Sequence, residues 1–142
     1  MPVNVLVAFD GSPLSKRALT YTIETFPDAR ITSIYVINPT DSVIDVEAGG
    51  LPVAKEWYEN AKEEATRIHT TATDLAAERN TELDTVTEVG RPAQAILEYA
   101  DDHDVDQIVM GSHGRSGIDR ALLGSVSETV TRRARIPVTI IS

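Results

Sequence analysis

The chain of 142 residues contains no cysteine. That absence excludes disulfides, thiolate catalysis and cysteine-based zinc sites, and leaves methionine as the only sulfur open to redox chemistry. No apolar stretch approaches the roughly 20 residues needed to span a bilayer. Met1-Pro2-Val3-Asn4 offers neither a basic leader nor a cleavage site, so a cytoplasmic protein with no membrane partner is expected. Two nucleotide-binding motifs are missing as well. There is no G-x-x-x-x-G-K-[ST], which excludes a P-loop NTPase, and no G-x-G-x-x-G after the first apolar run, which disfavours dinucleotide binding. His69 and His103 have no partners at metal-ligand spacing and are expected at the surface.

Lysine is scarce too, with three residues against ten arginines, while eleven Asp and eleven Glu bring the formal charge to −9. Such a surface repels a polyanion and argues against a nucleic-acid partner. The many acidic residues, abundant Thr and few Lys resemble proteins from salt-accumulating cytoplasms, whose acidic surfaces hold water. The charge is uneven. Residues 111–142 carry five Arg against Asp119 and Glu128, a net of +3 that leaves −12 on residues 1–110.

What is present is an alternation of short apolar runs with helical patterns, of a length that fits one domain over residues 1–142. Val3 to Phe9 and Ile31 to Ile37 read as strands buried on both faces. Between them, Ser12 then Pro13 is an N-cap followed by proline at the first helical position, and Pro27 ends that helix. Residues 38–51 form a loop longer than the usual connection. From Pro52 to about Arg79 the positions Val53, Trp57, Ala61, Ala65, Ile68, Ala72 and Leu75 recur three or four apart, predicting an amphipathic helix with Trp57 largely buried. Leu83 to Val89 reads as a polar edge strand. A helix from Pro92 follows, ending in the acidic turn 101–104, then a strand Gln107 to Met110, a helix near Ser125 and a last strand Pro137 to Ile141. The order βαβαβαβαβ predicts a doubly wound, five-stranded parallel α/β sheet with helices on both faces. Ligands of such sheets bind beyond the carboxyl ends of the strands where strand order reverses, which would bring Asp10 and Gly111 to one rim.

The segment after the fourth strand carries the chemistry. Gly111, Gly114 and Gly124 allow backbone to approach a pyrophosphate and to adopt dihedrals closed to other residues. Ser125 with Glu128 reads as a capping box opening a helix, whose first amides and dipole favour an anion. Asp10 could accept from ribose hydroxyls, sit near a phosphate-bound metal, or cap the following helix. His113 could meet a phosphate or be a solvated loop residue. Arg132, Arg133 and Arg135 suit the C-terminal end of the last helix. The apolar last strand, residues 137–141, lies at a predicted sheet edge that pairing with a second copy would cover.

The spacing Gly111-x2-Gly114-x9-Gly124-Ser125 resembles the nucleotide-binding signature of the universal stress protein family, in its ATP-binding branch. The likeness extends from Ala8-Phe9-Asp10-Gly11-Ser12 to the closing Pro137-Val138-Thr139-Ile140-Ile141. It implies a Rossmann-like sheet of the adenine nucleotide α-hydrolase type, with strand order 3-2-1-4-5, and a homodimer through the last strand. It further implies an adenine nucleotide, ATP or else AMP or ADP, with Ala8, Phe9 and Asp10 near the adenosine and Val36 near adenine. Met110, Gly111, His113 and Gly114 would line ribose and phosphates, Gly124, Ser125, Val126 and Ser127 would hold the phosphates, and Arg115 could approach them. Mg²⁺ or Mn²⁺ could arrive with the triphosphate. A stress-responsive nucleotide switch with at most slow or partner-dependent hydrolysis is the expected function. The alternative is a nucleotide-free dimeric module that recruits a transporter or signalling partner.

Overall fold

The computed structural model describes residues 2–39, 51–113 and 123–142, with residues 51–54 described by backbone alone. Among the described residues nine elements alternate: β1 (Asn4–Ala8), α1 (Pro13–Thr25), β2 (Arg30–Ile37), α2 (Leu51–Ala77), β3 (Asp84–Val89), α3 (Pro92–Asp102), β4 (Gln107–Gly111), α4 (Ser125–Arg133) and β5 (Val138–Ile141). The five strands form one parallel sheet in the order β3-β2-β1-β4-β5, as the alternation and the family resemblance predict.

Alternation along the central strands splits the core in two. Val5, Val7 and Phe9 point to the side covered by α1 and α2, where they meet Ala18, Leu19, Ile23, Ile68, Ala72 and Ala76. Leu6 points the other way, joining Ile34, Ile108 and Met110 against Ile96, Ala100 and Val130 of α3 and α4. The near-continuous apolar composition of β1 thus follows from burial on both faces. The two edges differ. β3 is polar and largely open, whereas β5 is apolar and half-buried along its length.

The junctions follow local chemistry. Gly11 stands at φ +83° between β1 and α1, a conformation that L side chains rarely adopt. Ser12 caps α1, Pro13 opens it, and the chain leaves the helix at Phe26, before Pro27. Thr22, buried in the middle of α1, donates its hydroxyl to the Ala18 carbonyl at 2.8 Å, which removes the cost of an orphan polar group.

Two sequence expectations need correction here. Trp57 is half-buried, not largely buried. A helix of 27 residues is about 40 Å long, well over the height of a five-residue strand, and its described contribution to the core starts only at Ala65. The stripe carrying Trp57 is real, but this part of it runs past the sheet. His69, expected at the surface, is half-buried against the sheet. Its Nε2 is 2.6 Å from the Thr87 hydroxyl, its ring meets Tyr35 edge-on, and its Nδ1 is buried without a partner among the described residues. His103 is exposed as expected, and its ring stacks on Tyr99.

Candidate nucleotide site

The strand order reverses between β1 and β4, which lie side by side with Val7 opposite Val109. Their carboxyl ends therefore present Asp10 and Gly111–Ser112 on one rim, with β2 and its Val36 beyond β1. Helix α4 opens on the same rim, because the Gly124 N–H donates to the Ser112 carbonyl at 2.7 Å.

Asp10 is half-buried, and its Oδ1 accepts the N–H of Ser12 at 3.0 Å, a turn that orients the carboxylate at the start of α1. Ala8 is partly exposed, but the Phe9 side chain is fully buried in the α1–α2 core, so at this rim Phe9 can offer only backbone. Val36 is half-buried on the α3 side of the sheet. Met110 is buried on that same side. These positions share the rim through the pairings β2-β1-β4, while Gly114 and Arg115 lie outside the described residues.

Gly111 has a packing reason that the motif does not reveal. A Cβ at this position would stand 2.7 Å from the Leu14 Cβ and 3.3 Å from the Leu14 backbone carbon. The missing side chain is what lets the first turn of α1 approach the end of β4. Gly124 is a cradle of another kind. A Cβ there would stand 3.0 Å from the Ser112 carbonyl oxygen, so the glycine admits the Ser112 backbone to the start of α4, and Cδ2 of His113 lies at an ordinary contact distance of 3.8 Å from the same position.

The expected capping box is not formed. The N-cap is Gly124, with φ −69° and ψ 164°, and Ser125 is already the first helical residue. Glu128 instead pairs with Arg132 one turn on. The register differs by one residue because the helix starts where backbone must pass close to Ser112, which only glycine permits without displacement. As a consequence the N-cap residue has no side chain with which to cap the helix, and the amides of Ser125, Val126 and Ser127 begin it without intrahelical acceptors. Ser127 is buried, and its hydroxyl donates inward to the Ser112 and Gly124 carbonyls at 2.8 and 3.1 Å. Its offer to an anion is thus its backbone N–H.

Ser112 escaped the sequence reading. It is 3% exposed, its N–H donates to the Ile141 carbonyl at 2.8 Å, and its own carbonyl receives both Gly124 and Ser127. The available signal was a small polar residue directly after a buried strand and inside the glycine motif. Among the described residues, no group of three His, Asp or Glu side chains is placed to hold a metal ion, and no helix is long and apolar enough to cross a membrane.

The residues present suit a phosphate chain. A helix start whose N-cap is a glycine, with its partial positive charge, stands beside the turn Gly111–His113. The sequence model of the universal stress protein family matches residues 1–142. A universal stress protein of Methanocaldococcus jannaschii is 33% identical over 143 residues, covering 97% of this chain and 81% of that protein. The solved structure of UspA from Lactobacillus plantarum superposes with a TM-score of 0.82 at 25% identity, covering 99% and 97% of the two chains. A universal stress protein solved in complex with cAMP superposes with a TM-score of 0.62 at 27% identity, covering 99% and 96%.

Proposed function

The chain belongs to the universal stress protein family, and from that premise we propose that it binds ATP, or another adenine nucleotide, at the β1–β4 rim and acts as a nucleotide-dependent switch. The observation that carries the reading is the start of α4: a glycine N-cap without a capping side chain, held against the glycine loop with the His113 ring beside it. The relative solved with cAMP supports an adenine nucleotide as the class of ligand. In this reading the amides of Ser125, Val126 and Ser127 hold the phosphates, with Gly111, His113, Gly114 and Arg115 along the chain. Asp10, Ala8 and the Phe9 backbone meet the adenosine, and Val36 and Met110 flank the base and ribose. Mg²⁺ or Mn²⁺ enters with the triphosphate, most of its ligands being water and phosphate. Hydrolysis is slow at most, since a P-loop lysine is absent from the sequence. The same proposal has the protein act in the cytoplasm on a regulatory protein partner.

Two copies pair through Val138–Ile141. Support for the dimer comes from β5 itself, an apolar edge that is half-buried and would otherwise present unpaired backbone groups to water. The dimer is also the core of the second reading, a nucleotide-free recruiting module. Calorimetry of the purified protein with ATP, ADP and AMP, in molar KCl with Mg²⁺, separates the two. Micromolar binding is expected for at least ATP. Absence of heat with all three nucleotides would overturn the switch and leave the dimeric module.

A further inference from the structure

Ser112 stands where three elements meet. Its N–H is held by β5 and its carbonyl holds the start of α4, both through backbone, so any residue at this position would keep them. The hydroxyl does something different. Ser112 Oγ is 3.1 Å from Nδ1 of His113, and among the described residues it has no other hydrogen-bond partner. A serine this buried must place its hydroxyl proton on an acceptor or lose the energy of a hydrogen bond. Among the described residues Nδ1 is the acceptor within reach, and an imidazole that accepts at Nδ1 carries its proton on Nε2 when neutral.

The position of the ring then gives the proton a destination. Cδ2, the carbon bonded to Nε2, is the His113 ring atom that lies 3.8 Å from where a Gly124 Cβ would be. Nδ1 thus faces Ser112 while Cδ2, the ring atom next to Nε2, lies toward the glycine N-cap that opens α4. We propose that Ser112 is a positioning residue of this site, its hydroxyl locking His113 in the Nε2–H tautomer so that the neutral imidazole donates to the same anion that the α4 amides hold. The assignment of that anion as a nucleotide phosphate rests on the function proposed above. The tautomer does not.

The test uses the full chain labelled with ¹⁵N-histidine, with the two-bond proton–nitrogen spectrum read without nucleotide above pH 7. His113→Gln identifies the resonance among the three histidines. Wild type is expected to show a protonated Nε2 and an unprotonated Nδ1 at His113. Ser112→Ala should lose that preference while leaving the backbone clasp and the melting transition in place, and Ser112→Thr should restore it. ATP affinity should fall about five- to tenfold in Ser112→Ala and recover in Ser112→Thr. A wild-type Nδ1–H tautomer, or a pattern unchanged in Ser112→Ala, overturns the assignment. ATP binding absent from wild type overturns the nucleotide reading instead, and with it the phosphate as the target of Nε2–H. Because the spectrum is taken without nucleotide, the two failures are told apart.

Discussion

Helices α1 and α4 start from neighbouring strands of the same rim, yet one is capped by its own N-cap side chain and the other has a glycine N-cap that offers none. At α1, the Ser12 hydroxyl accepts the Ser15 N–H at 3.3 Å, the Ser15 hydroxyl donates back to the Ser12 carbonyl at 2.9 Å, and Pro13 has no N–H to satisfy. Asp10 takes up the Ser12 N–H as well. At α4, the N-cap is a glycine, and the one hydroxyl of the first turn that is buried points back to the Ser112 and Gly124 carbonyls. Topology supplies both helix starts at the switch point, and the dipeptides Ser-Pro and Gly-Ser decide which is available to an anion. The difference divides the labour at the rim: α1 is structure, and α4 is the proposed phosphate seat.

The largest expected effect comes from closing α4 as α1 is closed. Gly124→Asp places a carboxylate at the N-cap, where it would take the amides that a phosphate needs and oppose the anion by charge. The Cβ must be accommodated 3.0 Å from the Ser112 carbonyl, so cap and crowding are expected to offset to within about 1 kcal/mol in stability. ATP affinity should fall more than about 100-fold by calorimetry, or roughly 3 kcal/mol. Retention of wild-type affinity would show that the phosphates do not sit on α4. Next in size is Gly111→Ala, which sets a methyl 2.7 Å from the Leu14 Cβ. Overpacking of this kind costs about 1–3 kcal/mol in chemical unfolding. Leu14→Ala should not rescue it, because the atom in the way is the Cβ that alanine keeps.

The same contrast explains how much could be read from the chain. The parallel sheet and the placing of Asp10 and Gly111 on one rim were legible, because buried parallel strands and helix punctuation by Ser12-Pro13 and Pro92 are written in local composition, while the strand order came from the family resemblance. The glycine spacing was legible as a signature. Its physical content was not, since Gly111 answers to Leu14 and Gly124 to Ser112, partners that only the folded sheet brings near. The cap was misplaced by one residue for that reason: Ser125 looks like an N-cap until the approach of Ser112 requires the glycine before it. Ser112 went unnoticed because its role is carried mostly by backbone atoms, which leave no trace in residue type. His69 and Trp57 were misjudged in opposite directions. A helical stripe gives the face of a residue but not how far along the helix the sheet extends.

Removing the cap of α1 should have a smaller effect, confined to stability. Ser12→Ala loses the acceptor for the Ser15 N–H at a buried position, a change of about 1 kcal/mol. The melting temperature should fall by about 3–5 °C in a thermal scan. ATP affinity should stay within about twofold, because the α1 amides are not asked to hold phosphate. A fall in affinity comparable with that of Gly124→Asp would erase the division between the two helices.

The smallest expected effect is a pH dependence seated on the α1 side of the rim. Ile68 of α2 packs 3.8 Å from the Cβ position of Gly11, where α1 begins, and its neighbour His69 lies between Tyr35 and Thr87 with Nδ1 buried and, among the described residues, unpartnered. Burial pushes the His69 imidazole below the ordinary histidine value of 6.5. The sign follows. Below pH 6.5 the unfolded chain binds a proton that the folded chain still refuses, so stability is lost as pH falls from 6.5 toward the folded value and is unaffected by this group above it. Acid also protonates carboxylates, so the informative quantity is a difference between two proteins. Urea unfolding at pH 7.5, 6.5 and 5.5 should show wild type losing more stability than His69→Gln over the lower interval, with parallel behaviour over the upper one. Equal losses would mean that the folded chain accepts the proton, by turning Nδ1 toward water, and that the α1 side of the rim carries no acid-sensitive contact of its own.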